Sequence, residues 1–235
     1  MDQTTLTMRS RQRLLGWVGA VGIVVLMIGD LITPPGEDQH VTTVAAGVKE
    51  LDAAAVHPLA LYLAFLLVIL GFFGFAAVFL AVATLVRERG ARLMTVGATV
   101  GAFACFCAAV INVWSGLDVY AAHKAHMSRT AGAEFLVSAQ HTSAVSAVFA
   151  IGYFAGLLLA GIVSGVALWR SRAVPRWVGP VLPVSLFVAA SSPSGFPGTA
   201  LAVPFAVLAV WLCLTAVRRA ALIGEPAVPE IVAAA

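Results

Sequence analysis

Of the 235 residues, 61% are hydrophobic and 11% are charged, and the mean hydropathy is +0.98. A soluble domain carries about 25% charged residues, so this chain cannot cover a globule with polar groups and lipid must be part of its solvent. The formal charge of +3 sits on arginines dispersed over short connections, not on one basic face, which sets nucleic-acid binding aside.

The chain opens with a basic stretch, 1–13, that carries Arg9, Arg11 and Arg13. The first apolar segment, 14–33, follows it and ends in "GDLITPPG". No small-x-small cleavage pattern closes it, so it reads as a retained span and not a signal sequence. Asp30 lies near its far end. In 41–55, Val41, Val44, Val48, Leu51 and Ala55 recur at three- and four-residue steps, with Lys49, Glu50 and Asp52 between them. That spacing predicts a short amphipathic helix on the membrane surface or over the end of the bundle.

The second span is 58–86, opened by His57 and Pro58, and "RERGAR" follows it. The third is 93–117. Its end runs into "INVWSGLDVYAAHKAHM", which sets Asn112, Trp114, Asp118, Tyr120, His123 and His126 in quick succession. The loop after it holds "AEFLVSAQ", a second amphipathic candidate. The fourth span, 141–169, begins at His141 and leads to "RSRAVPR". The fifth, 177–191, is short and holds Pro180 and Pro183, and the sixth, 199–217, holds Pro204. Proline removes a helical donor, so this last pair reads as a tight, kinked hairpin. The tail 220–235 carries no strong pattern and is expected to be flexible.

Crossing the hydrocarbon takes about 20 apolar residues as a helix, and six segments meet or approach that length. Alternating them places the arginines of the N-terminus, of "RERGAR", of "RSRAVPR" and of Arg218–Arg219 on one side. Asp30, Asp52, Asp118, Glu134 and all five histidines fall on the other. Cytoplasmic loops are enriched in Lys and Arg, so both termini are expected in the cytoplasm. The expected fold is an all-α, six-transmembrane-helix bundle forming one domain over 14–219, multi-pass in the plasma (inner) membrane. Cys105, Cys107 and Cys213 all sit in apolar runs and are read as packing residues, since an odd set of buried thiols makes no disulfide framework.

Ionisable groups in lipid cost about 2.5–3.5 kcal/mol each at a helix centre on insertion scales, so those that persist near the apolar zone are site candidates. If the third helix continues past Gly116, Trp114, Asp118, Ala122 and His126 share one stripe. A carboxyl held against an indole is a candidate general acid, and Asp30 is a candidate partner. Asn112 and His141 would orient these acids, and Trp114 and Tyr120 would line the cavity. Phe72, Phe73, Phe75, Phe79, Phe103, Phe106, Tyr153 and Phe154 add ring faces that stabilise cations. The leading reading is a membrane enzyme acting on a lipophilic, isoprenoid- or terpenoid-like substrate by acid–base cyclisation or isomerisation. It needs no cofactor, and its partners are membrane lipids and that hydrophobic substrate.

The competing reading is a haem- or metal-binding redox protein. His57 and His141 would ligate an iron from facing helices, or His123 and His126 would hold a divalent metal with Asp118. No H-x-x-x-H or H-E-x-x-H pattern supports it. A carrier or other non-catalytic membrane protein is the third reading, although the span centres are nearly bare of the ionisable groups a coupled carrier uses.

Overall fold

A chain with this composition meets hydrocarbon over most of its surface, where backbone N–H and C=O groups find no water and must pair within the segment. Helices are the outcome. The computed structural model describes residues 3–33, 43–87, 89–142, 144–191 and 196–222, and they form α1 (Gln3–Ile32), α2 (Val44–Val56), α3 (Pro58–Ala83), α4 (Ala91–Lys124), α5 (Arg129–Thr142), α6 (Ala144–Ser171), α7 (Val178–Ala190) and α8 (Phe196–Leu222). Among the described residues no strand occurs. Five helices, α1, α3, α4, α6 and α8, are long and apolar enough to cross a membrane.

The six longer-range packing partners close a ring. α1 lies between α3 and α8, α3 leans on α4, α4 on α6, α6 on α7 and α7 on α8, while α3 also touches α8. Small residues set these crossings, since lipid tails give apolar helices no hydrophobic reason to associate and close backbone contact must supply the attraction. A Cβ at Gly22 of α1 would land on the Gly74 backbone of α3. One at Gly165 of α6 would land on the Gly179 carbonyl of α7. The ring interior is filled by rings and aliphatic chains: Phe75 stacks on Phe79 at 5.3 Å and meets Phe205 edge-on at 5.2 Å. The opposite face of α1 turns Leu14, Val18, Val21, Val24, Ile28 and Leu31 outward at three- and four-residue steps, a lipid-facing stripe.

α4 has 34 residues, about 51 Å at 1.5 Å per residue, and therefore overshoots a hydrocarbon core of about 30 Å. The overshoot carries the α2–α5 pair. Leu51 and Ala54 of α2 meet Ala133 and Leu136 of α5, with Leu61, Val119 and Ala122 beneath them. Thr43 caps α2 by accepting the Ala46 N–H at 3.2 Å.

Several sequence expectations are revised. The basic N-terminal stretch is helical from Gln3 and runs into the first span as one helix, α1. The amphipathic helix over 41–55 is present as α2, yet its buried face is Gly47, Glu50, Leu51 and Ala54. Glu50, expected on the polar face, is 3% exposed, and Val44 is exposed. That face was chosen by α5, not by lipid. "AEFLVSAQ" lies in α5, which extends to Thr142, so His141 ends that helix and does not open the fourth span. The fifth expected span is α7, whose 13 residues give about 20 Å of helix, short of the hydrocarbon thickness. Most of the 220–235 tail and residues 192–195 lie outside the described residues.

Candidate functional site

Asp30 and Thr199 come from opposite ends of the sequence and meet where α1 ends and α8 begins. Asp30 stands in the last turn of α1, and Thr199 in the first turn of α8, just after Pro197 and Gly198. The Thr199 hydroxyl donates to Asp30 Oδ2 at 2.6 Å, and Thr199 is buried. Below this pair, α1 and α8 leave a groove of about 520 Å³ lined by Ile23, Val24, Met27, Ile28 and Leu31 on one wall and by Thr199, Ala206, Val207, Val210, Trp211 and Leu214 on the other. Its lining is aliphatic except for one indole and the Thr199 hydroxyl. The arrangement is an apolar slot with Thr199 at its head, and the Asp30 carboxyl that accepts from Thr199 stands behind it, outside the lining.

Asp118 occupies a different place. α4 does continue past Gly116, so Trp114, Asp118 and Ala122 share a stripe as the spacing implied. The Trp114 indole lies within hydrogen-bonding reach of the Asp118 carboxyl one turn on. Asp118 Oδ2 is buried without a partner, and so is the Tyr62 hydroxyl on α3. Tyr62 meets Tyr120 edge-on at 5.9 Å, and the Gly116 position faces Phe65, so this stretch of α4 packs on α3. Ala122, by contrast, belongs to the α2–α5 cluster, and His126 falls outside α4 with a left-handed φ of 51°.

The remaining candidates are not gathered around either acid. Asn112 is 5% exposed and spends its amide on the Ala108 carbonyl one turn back at 2.9 Å, a bond within its own helix. Trp114 and Tyr120 are exposed, at 40% and 49%, and close no cavity. α1 and α4 do not touch among the described residues, so Asp30 and Asp118 stand apart and do not form one acid pair. The side chain of His141 lies outside the described residues. The aromatic set divides as well: Phe72, Phe75 and Phe79 fill the ring interior, while Phe73, Phe103, Phe106 and Phe154 are exposed.

The alternative ligand sets fare similarly. His57 is the junction between α2 and α3 and is exposed, and neither α3 nor α2 packs on α6. His123 and His126 are both exposed, on either side of the α4 terminus. Among the described residues no three His, Cys, Asp or Glu side chains are grouped as a metal site.

Thr199 and Tyr62 are the polar residues that the sequence reading passed over. A hydroxyl costs little in an apolar run, so neither stands out as a carboxylate does. Thr199 did carry one signal: it follows "FPG" at the head of a span, where a first-turn hydroxyl meets whatever faces the helix start. In comparison with known proteins, no family model matches the chain, and no curated protein or solved structure matches it either.

Proposed function

We infer that this is a membrane enzyme that takes a lipophilic, isoprenoid-like substrate into the α1–α8 groove and transfers a proton at Asp30. The observation that carries the reading is Thr199, which lines the head of an apolar slot of about 520 Å³ and donates its hydroxyl to Asp30 directly behind it. A hydrocarbon chain would fill the aliphatic walls without desolvating any polar group but the Thr199 hydroxyl. A protonated Asp30 carboxyl would give its proton to one alkene carbon, and the resulting carboxylate would remove a proton from a neighbouring carbon, so the double bond moves and no atom is gained or lost. Thr199 would hold the carboxyl in orientation. Isomerisation fits this slot better than cyclisation, since a carbocation carried through ring closure needs several ring faces and the groove offers Trp211 alone. Asp118 stands outside the groove and takes no step in this reaction.

The topology that serves this reading has six crossings with both chain ends in the cytoplasm of the plasma membrane. It is supported by the path around α7. Trp177, just before α7, is at the arginine-bearing end, and Thr199 in α8 is at the Asp30 end. A chain that runs from one end of the bundle to the other between these two residues supports a sixth crossing at α7. The positive-inside bias then orients the arginine end toward the cytoplasm.

The test is direct. Purified protein in lipid nanodiscs is incubated with isoprenoid alkenes in deuterated water, and deuterium uptake and bond migration are read by mass spectrometry and NMR. Asp30→Asn should abolish both while the helical circular dichroism is kept, and Asp118→Asn should leave them intact. Incorporation that survives Asp30→Asn would sink the assignment.

A further inference from the structure

The arginines that orient the chain also build something. Gln12 of α1, Arg87 after α3, Arg172 after α6 and Arg219 of α8 surround a cavity of about 510 Å³ at the end of the bundle away from Asp30, with Thr84 and Ser171 between them. Four stretches far apart in sequence converge here because α3, α6 and α8 end at the level of Gln12, inside α1. Among the described residues no carboxylate lines the cavity. Arg219 is already committed, since its guanidinium donates to the Ala173 carbonyl and ties α8 to the α6–α7 turn. Arg87 and Arg172 are exposed and pair with no carboxylate among the described residues. Arg172 also adopts a φ of 53°, a left-handed conformation unfavourable for a non-glycine residue, and lines the cavity.

The remaining lining is apolar, from Leu85 and Leu222 with two alanines. Trp17 within α1, Trp169 in the last turn of α6 and Trp177 just before α7 are all exposed, as tryptophans at a membrane–water interface are. A cavity that is cationic at its mouth, apolar on its walls and level with the interface matches a phosphate with acyl chains attached better than a free ion.

We propose that this cavity binds the phosphate of an anionic lipid headgroup, with Arg87 and Arg172 as its charged contacts. The guanidiniums supply bidentate donors to the phosphate oxygens, and Thr84 and Ser171 stand beside them. The site lies at the opposite end from the Asp30 groove, so it stands or falls separately from the catalytic reading.

The experiment uses the full chain in neutral detergent, titrated with phosphatidylglycerol, with phosphatidylcholine or with inorganic phosphate, and follows binding by native mass spectrometry and by the thermal unfolding midpoint. Phosphatidylglycerol should bind and raise the midpoint, and phosphatidylcholine should not. Each arginine near an anionic lipid is worth about fivefold in affinity, so Arg87→Gln with Arg172→Gln should weaken phosphatidylglycerol about 25-fold. Arg129→Gln, at the other end, should leave it unchanged. If the double variant does not fold, Arg87→Gln alone should still weaken binding about fivefold. An effect of inorganic phosphate equal to that of phosphatidylglycerol would assign the same phosphate contacts to a soluble ligand and overturn the lipid. Equal binding of both lipids, or unchanged binding in the glutamine variants, would overturn the site.

Discussion

Thr199 shows how much one hydroxyl decides in this molecule. It is the donor that meets Asp30 Oδ2 at 2.6 Å, and it joins the end of the first span to the start of the last. Thr199→Val keeps the shape and removes the donor, leaving a carboxyl oxygen without that bond. Such a loss costs about 1–3 kcal/mol. The expected outcome is a lower midpoint in detergent unfolding and a loss of the Asp30-dependent reaction, with both restored by Thr199→Ser. Restored stability without restored turnover would make the contact a brace and not a catalytic support. Asp30 and Asp118 were legible in the sequence, because a carboxylate beside an apolar run is conspicuous. Their separation was not legible: nothing in the spacing says that α1 and α4 fail to touch. Asn112 was legible as a polar group in an apolar run, but its bond to the Ala108 carbonyl within its own helix was not.

Among the elements, α2 and α5 mark the limit of periodicity arguments. The three- and four-residue spacing gave the α2 helix nearly to its ends, yet it could not give the face, because α2 packs on α5 and α4 and not on lipid alone. Glu50 is on the buried side and Val44 is exposed. The Arg129–Asp52 pair at 2.9 Å spans the same two helices, but both side chains are more than a third exposed. Water and salt screen such a pair, so Arg129→Ala is expected to cost less than about 1 kcal/mol. Leu136→Ala, inside the cluster, is expected to cost about 2–5 kcal/mol. Denaturant unfolding of the two variants side by side tests whether apolar packing or the ion pair holds the cap. Equal losses would show that the ion pair matters more than its exposure allows.

The molecule as a whole is organised by its two unlike ends. Cys105, Cys107 and Cys213 are buried, so a background with all three replaced by alanine permits labelling at single new positions. In intact cells, a membrane-impermeant maleimide is expected to label Lys124→Cys and to spare Arg13→Cys and Arg89→Cys until the membrane is opened. Labelling of Arg13→Cys in sealed cells would reverse the orientation. Labelling of Arg13→Cys and Lys124→Cys alike would show that the two ends do not lie on opposite faces.

Sequence by itself determined that this chain belongs in a membrane, that it is helical, and which connections are basic. These follow from composition and from the cost of leaving a backbone polar group or a charge in hydrocarbon, which are local quantities. Tertiary structure alone decided which helices are neighbours. It placed Gly22 on Gly74, opened a groove between the first and last spans, drew arginines from three distant stretches around one cavity, and left α7 too short to cross as helix alone. The reason is physical: in lipid every apolar face is equally content against tails, so hydropathy cannot say which faces meet. That choice falls to the fit of small residues and the few polar contacts between helices, and Thr199 on Asp30 is the one that shapes the proposed site.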